Sequence, residues 1–389
     1  MMATADRRHI LPVLVVLLLA IAGCAFPGRD RAGPVAAAAV VVRTAEPASD
    51  DEAYCAWYGD AREGILYFGE AAFWSGLRAT GDPTADLQVA GPQRVGRFDL
   101  RSEKMLEPLD VGGTLGKPPR SGVWDVLAHP NGRIYFTTYF EDSGYLEPAS
   151  GDDVALPGLG VGLNELALGP DGSILATRYG AADGSGGSVV RFTQDGALIT
   201  EHPLSAPPGW HVAPKSVAFD ARRGAVWLTT DLVAHAGGGV RQDARVIDLE
   251  GRELARWEEP ELQFMAFDAH GTGYLVERHG PRLTLRILDP ADTGPLATAG
   301  RQVLLDDAFG VGIDFAQDLR IASDGRVVVT RWSGRIDVVD PAAPGGPSVR
   351  QLTLPGVAEG GLYYTAVLEN GRICTTLCAG LTVVCAAAP

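Results

Sequence analysis

The 389-residue chain predicts an all-β fold of the propeller class, and three observations carry that reading. First, one pattern recurs seven times: an apolar strand, a polar turn ending in Gly, then a second apolar strand. Second, the turn glycines (Gly64, Gly132, Gly172, Gly224, Gly271, Gly325 and Gly371) are spaced by 40 to 54 residues after a first interval of 68. A period of roughly 40–50 residues with strand–turn–strand signals marks a propeller with one blade per repeat. Third, helical periodicity is nearly absent, while 49 Gly and 26 Pro punctuate the chain. Seven blades are favoured, with six, one hairpin lying outside the ring, as the alternative.

The repeats align when anchored on the turn glycine. Val123-Trp-Asp-Val-Leu-Ala-His-Pro-Asn-Gly-Arg-Ile-Tyr-Phe-Thr-Thr138 shows the pattern in full. Asp60-Ala-Arg-Glu-Gly-Ile-Leu-Tyr67 matches Asp220-Ala-Arg-Arg-Gly-Ala-Val-Trp227 almost residue for residue, which admits the first copy despite its long following interval. Asn-Gly and Asp-Gly supply the positive φ that tight hairpins need. Each hairpin forms the two inner strands of a blade, and runs such as Ser188–Phe192, Ala244–Leu249, Leu283–Leu288 and Gly334–Val339 supply outer strands. After the last hairpin only Leu381–Cys385 remains, so the seventh blade lacks its outermost strand. Ala38–Arg43 is expected to supply it and close the ring, removing the exposed edges of an open one. The stretches 78–91 and 141–160 read as insertions on the top face, where loops carry recognition.

Ahead of the repeats, Arg7 and Arg8 precede an apolar run from Ile10 to Ala22, too short to span a bilayer comfortably. That is the pattern of an export signal, set apart from the fold. Its end, Ile21-Ala22-Gly23-Cys24, resembles the lipobox of bacterial lipoproteins. The resemblance implies cleavage before Cys24 and lipidation of its thiol, with residues 1–23 as signal peptide and 24–36 as a flexible tether. The propeller then occupies 37–389, anchored to the lipid bilayer of a bacterial cell envelope and facing the periplasm or the exterior. A propeller tolerates this length, beyond the roughly 250–300 residues of one core, because each blade packs only on its neighbours. The formal charge is −15, and loss of the basic leader leaves the rest more acidic still. Such a surface repels phosphate backbones, so nucleic acid is not an expected partner.

Four cysteines remain besides Cys24, an even number that permits disulfides in an exported protein. Cys374 and Cys385 face each other across the last hairpin if its turn is centred near Ala379. Cys55 lies in the blade that neighbours the last one, which makes Cys55–Cys378 the other candidate pair. Zinc is disfavoured, since Cys374, Cys378 and Cys385 offer neither a CxxC pair nor a nearby His.

Residues at the start of each innermost strand should ring the central channel. Eight before the turn glycine stand Trp124, Asn164, Ser216, Gln263, Gln317 and Tyr363. One place nearer stand the carboxylates Asp125, Glu165 and Asp318, in three different repeats, as candidates to hold a cation or cationic ligand. Alternatively they face between blades, capping backbone or pairing with Arg178 and Arg331, six past their glycines. His129 and His270 flank turns and are expected at the surface. Trp227, in a second strand, is expected to pack between blades.

Gly162-Leu-Asn-Glu-Leu-Ala-Leu-Gly-Pro-Asp-Gly172 resembles the Asn-Asp…Pro-Asp-Gly signature of the senescence-marker-protein/gluconolactonase family. Those are calcium- or zinc-dependent lactone hydrolases on six-bladed propellers, and the resemblance places Asn164 at an axial ligand position. Lys215 or Ser216 stands where an acidic ligand is implied, and Gln263, Gln317 and Tyr363 replace carboxylates. The reading drawn from the sequence is therefore a lipid-anchored module that binds a protein or small-molecule ligand, with a metal-dependent lactonase or esterase as the alternative.

Overall fold

In the computed structural model, the described residues are 39–43, 54–72, 94–111, 122–138, 142–179, 187–234, 240–257, 261–292, 298–306, 316–331, 334–353, 363–377 and 382–388. They form seven antiparallel sheets of four strands each. Strand β1 (Ala39–Arg43) stands apart from the blade that follows it in sequence. Blade I comprises β2 (Tyr54–Arg62), β3 (Ile65–Ala72), β4 (Arg94–Asp99) and β5 (Lys104–Asp110). Blade II holds β6 (Asp125–Ala128), β7 (Ile134–Thr137), β8 (Gly144–Glu147) and β9 (Asp152–Ala155). Blade III holds β10 (Leu163–Leu168), β11 (Ile174–Arg178), β12 (Ser188–Phe192) and β13 (Leu198–Pro203). Blade IV is built from β14 (Trp210–Asp220), β15 (Ala225–Ala234), β16 (Val240–Asp248) and β17 (Glu253–Trp257). Blade V follows with β18 (Glu261–Phe267), β19 (Gly273–His279), β20 (Arg282–Leu288) and β21 (Arg301–Asp306). Blade VI has β22 (Ala316–Ile321), β23 (Val327–Arg331), β24 (Arg335–Asp340) and β25 (Ser348–Thr353). Blade VII consists of β26 (Tyr363–Glu369), β27 (Arg372–Leu377), β28 (Thr382–Ala387) and, outermost, β1.

The innermost strands β2, β6, β10, β14, β18, β22 and β26 touch in that order, and β26 returns to β2. The ring is closed with seven blades, not the six that the family resemblance implies. Val41 pairs with Val384 and Val40 with Cys385, so the N-terminal strand completes the last blade as the sequence predicts. All seven turn glycines have positive φ, and Glu63, Asp171 and Asn370 share the left-handed region with the glycine after them. One correction concerns blade II. Residues 144–155, read as part of an insertion, are the blade's own outer hairpin, with strands of only four residues. The 78–91 stretch lies outside the described residues, as do the leader, Cys24 and the tether.

The apolar core is not central but divided among seven clusters, one at each junction between blades. Trp227 is wholly buried against Trp257 of its own blade and Phe267 of the next, with ring centroids at 5.7 and 5.4 Å. At the junction of blades VII and I, Val367, Val383, Cys374 and Cys385 pack on Ala56, Leu66, Phe68 and Phe98. Here Cys374 and Cys385 are directly opposed on β27 and β28 and form a disulfide. Cys378, and with it a Cys55–Cys378 pair, lies outside the described residues.

This staple sits where the two ends of the chain close the ring. Closing an 11-residue separation removes roughly 3 kcal/mol of unfolded-state entropy. The double substitution Cys374→Ala/Cys385→Ala is expected to lower the denaturation free energy by about 2–4 kcal/mol. Dithiothreitol should produce the same loss only once the protein has been unfolded, since both cysteines are buried. An unchanged urea midpoint in the double variant would show that the bond contributes nothing to closure.

Candidate functional site

The inner strands are not regular where they approach the channel. Six of the seven carry a bulge at the same place: Trp57-Tyr58, Asn164-Glu165, Lys215, Gln263, Gln317 and Tyr364-Thr365 interrupt their ladders. A bulge leaves a backbone N–H without a ladder partner and re-aims the side chains around it. The second strand supplies an acceptor at this level, in bulged blades and also in blade II, whose β6–β7 ladder is regular. Thr137, Thr177, Thr229 and Thr376 accept through Oγ1 from the N–H of Asp125, Glu165, Ser216 and Thr365, at 3.1–3.2 Å.

Three of these hydroxyls, and that of Thr330, reach across junctions. Thr137 donates to the Asn164 carbonyl at 2.7 Å, and Thr376 to that of Trp57 at 3.0 Å. Thr177 donates to the Lys215 carbonyl at 3.4 Å and Thr330 to that of Tyr364 at 2.6 Å. Threonine therefore ties blade II to III, III to IV, VI to VII and VII to I at this level. Blade I has Gly69 at that place because a Cβ there would stand 2.4 Å from the Val123 carbonyl oxygen. The signal was present in the sequence, since each Thr stands five residues after its turn glycine, and it was missed.

Within this frame the carboxylates Asp125, Glu165 and Asp318 face a common space. Tyr58, whose hydroxyl donates to Gln317 Oε1 at 3.1 Å, feels the charge of all three. Arg320 ties the set together: it donates to Asp318 at 2.8 Å and lies 3.9 Å from Asp60. Asp60 is on blade I and Arg320 on blade VI, so the guanidinium bridges the lumen. Sequence reasoning missed both Asp60 and Arg320. The expected partners pair elsewhere: Arg331 with Asp337 and Asp306, Arg178 with Glu201. Asp125 also caps the next blade, accepting from the Leu166 N–H at 2.8 Å, as Asp60 does from Ala128 at 3.0 Å. Lumen-facing and blade-capping roles thus coexist in one carboxylate.

The electrostatics follow from four acids around one guanidinium. Burial pushes the Asp125 carboxyl up to about 7, with Asp318 adding to the rise and Arg320 and the Leu166 N–H opposing it. Glu165 is raised well above the carboxylate range by burial and by repulsion from Asp125 and Asp318, against the pull of Lys215 and Arg320. Asp60 is raised by burial too. Lys215 leans on Asp231 at 3.9 Å instead of entering the cluster.

Beside the acids, aromatic side chains gather on blades I, II and VII. Trp57 stacks on Trp124 at 4.6 Å and lies 4.5 Å from Tyr364, while the Tyr58 ring sits 5.3 Å from Tyr364 and 6.4 Å from Trp124. Trp57 and Tyr364 are buried, whereas Trp124 and Tyr58 are only partly so.

The calcium or zinc that the family resemblance implies does not fit the residues present. Among the described residues, no three His, Cys, Asp or Glu side chains come close enough to share an ion. The Asn164 amide donates to the Lys215 carbonyl and the Tyr179 hydroxyl. His129 corrects another expectation. It is buried, not surface-exposed, with Nδ1 accepting from the Asn131 N–H and Nε2 bonded to the Gly172 carbonyl of the next blade.

Comparison with known proteins bears on this frame alone. No family model matches the chain, and no curated protein does. Among solved structures, virginiamycin B lyase from Staphylococcus aureus superposes with a TM-score of 0.54 at 11% identity, covering 90% of this chain and 99% of that one. YCF48 from Cyanidioschyzon merolae gives 0.51 at 13%, covering 89% and 98%, and YCF48 bound to D1 peptide gives 0.53 at 11%, covering 92% and 100%. The likeness is one of fold. These neighbours share the seven-bladed propeller, and an identity this low carries none of their chemistry across.

Proposed function

We propose that this propeller is a binding module held at a bacterial cell envelope by lipid on Cys24, and that its protein or small-molecule ligand enters the central channel. The observation that carries the reading is the channel itself. It combines the partly exposed aromatic rings of Trp124 and Tyr58 with the acids Asp125, Glu165 and Asp318 at one level of the inner strands. A rigid ring of blades with polar groups converging on its axis is a preorganised receptor, which keeps the ordering cost of binding low. The peptide in the YCF48 complex supports a protein ligand as one source. The hydrolase alternative lacks a donor set among the described residues and is not favoured.

The test is a peptide and small-molecule panel read by tryptophan fluorescence on the full-length chain in detergent. Ligands of the channel should lose at least tenfold in affinity with Trp124→Ala and be unaffected by Leu254→Ser on the outer edge of blade IV. Binding indifferent to Trp124→Ala overturns the channel reading. In cells, Cys24→Ser should move the chain out of the membrane fraction, and retention there would remove the anchor from the proposal.

A further inference from the structure

We infer that the ligand of the channel is a primary alkylammonium, the end group of a lysine side chain or of a free diamine, held by Glu165 and Asn164 with its stem against Tyr58 and Trp124. This rests on the channel reading above and names the chemistry it selects.

Three observations lead to it. The site holds a carboxyl without a partner: among the described residues, no hydrogen bond or ion pair reaches that of Glu165. The proton it retains above the ordinary carboxylate range is released to solvent when a cation takes its place. Its neighbour on the same bulge, Asn164, is 3% exposed and leaves Oδ1 without a partner. Buried acceptors without donors are costly, and an ammonium brings three donors and no acceptor. The resident cations are engaged elsewhere, Arg320 by Asp318 and Asp60, and Lys215 by Asp231. Finally, the partly exposed rings of Tyr58 and Trp124 suit an alkyl stem and the charge behind it.

The same features discriminate among cations. A planar guanidinium that takes both Glu165 oxygens has its donors committed in one plane, whereas a compact ammonium directs its three donors apart, to Glu165 and to Asn164 Oδ1. A quaternary ammonium has no N–H and would leave Asn164 unsatisfied. A metal ion wants several converging oxygen ligands, which the described residues do not provide.

A pH dependence follows. Asp125 is faced by Tyr58 from β2, Glu165 and the Leu166 N–H from β10, and Asp318 and Arg320 from β22. As pH rises through about 7, the Asp125 carboxyl ionises and the lumen gains negative charge. The amine stays protonated to about pH 10. Affinity should therefore increase from pH 6 to pH 8.

Calorimetry and tryptophan fluorescence on the full-length chain in detergent test the inference. The probes are cadaverine, then, with their N-termini acetylated, Gly-Lys-Gly, Gly-Arg-Gly and the ε-acetylated lysine tripeptide, and tetramethylammonium. Gly-Lys-Gly or cadaverine should bind at least tenfold tighter than the last three, and about tenfold tighter at pH 8 than at pH 6. The preference between the two amines tells a peptide source from a free diamine. Glu165→Gln should cost at least tenfold, and the lysine-to-acetyl-lysine comparison in the unaltered protein needs no variant. Equal response to lysine and acetyl-lysine, or none to either amine, overturns the inference. If another ligand then binds in a Trp124-dependent manner, the channel reading stands without it. If binding is indifferent to Trp124→Ala, both fall.

Discussion

Asp125→Asn is expected to stabilise the propeller by roughly 3 kcal/mol more at pH 8 than at pH 5. The carboxyl is 4% exposed, and burial pushes it up to about 7 from an ordinary value of 3.8. The folded state therefore holds this proton through a range of pH in which the unfolded chain has released it. Where the folded state binds more protons, stability falls as pH rises, here from about pH 4 to about pH 7, and then levels off. A tenfold change in proton affinity is worth about 1.4 kcal/mol, and two such factors, from about pH 5 to about pH 7, fall between the two conditions. Asparagine keeps an oxygen to accept from the Leu166 N–H and removes the charge, so the variant escapes the loss. Urea midpoints of both proteins at the two pH values and one ionic strength provide the measurement. A variant whose effect is the same at pH 5 and pH 8 would mean that the carboxylate acts as a neutral cap only. The gain would come at a functional cost, since affinity for a channel cation should fall. A stability optimum sacrificed at one position is what a binding site predicts and a purely structural acid does not.

The scaffold was legible in the sequence because its determinants are local. The Gly64 and Gly224 turns are recognisable within eight residues, and the pairing of Cys374 with Cys385 follows from one hairpin. Closure by β1 was legible for a different reason: once outer strands were counted, one blade was a strand short. The site was half legible. Asp125, Glu165 and Asp318 could be found because a fixed distance from the turn glycine places a residue on the axis. Arg320 shares that strand with Asp318, but its reach to Asp60 spans the ring, and no spacing within one repeat encodes it. His129 was misplaced because a residue beside a turn can still face the neighbouring blade. The short strands of blade II, four residues each, gave too little alternation to be told from a loop.

A second large effect is expected from the polar interior of the blades. Asp243→Ala should cost about 3–5 kcal/mol, more than most single truncations of an apolar side chain at a blade junction would at the lower end of their range. Arg245 is 1% exposed and donates from Nε and Nη2 to Asp243, at 3.2 and 3.0 Å. Arg256 reaches the same carboxylate at 2.7 Å, and the Thr230 hydroxyl donates to its other oxygen. Alanine at 243 would leave the Arg245 guanidinium charged, buried and without its counter-ion, which is the expensive half of a buried pair. Removing both partners is a different matter, because the desolvation cost disappears with them. Asp243→Leu/Arg245→Met should therefore recover most of the loss and match or exceed the starting stability. Arg256, a quarter exposed, can turn to solvent, so its lost contact adds little. Denaturant unfolding of the single and double variants decides the point. If the double variant is as unstable as the alanine variant, the pair fixes the packing of β15 on β16 in a way that apolar volume cannot replace.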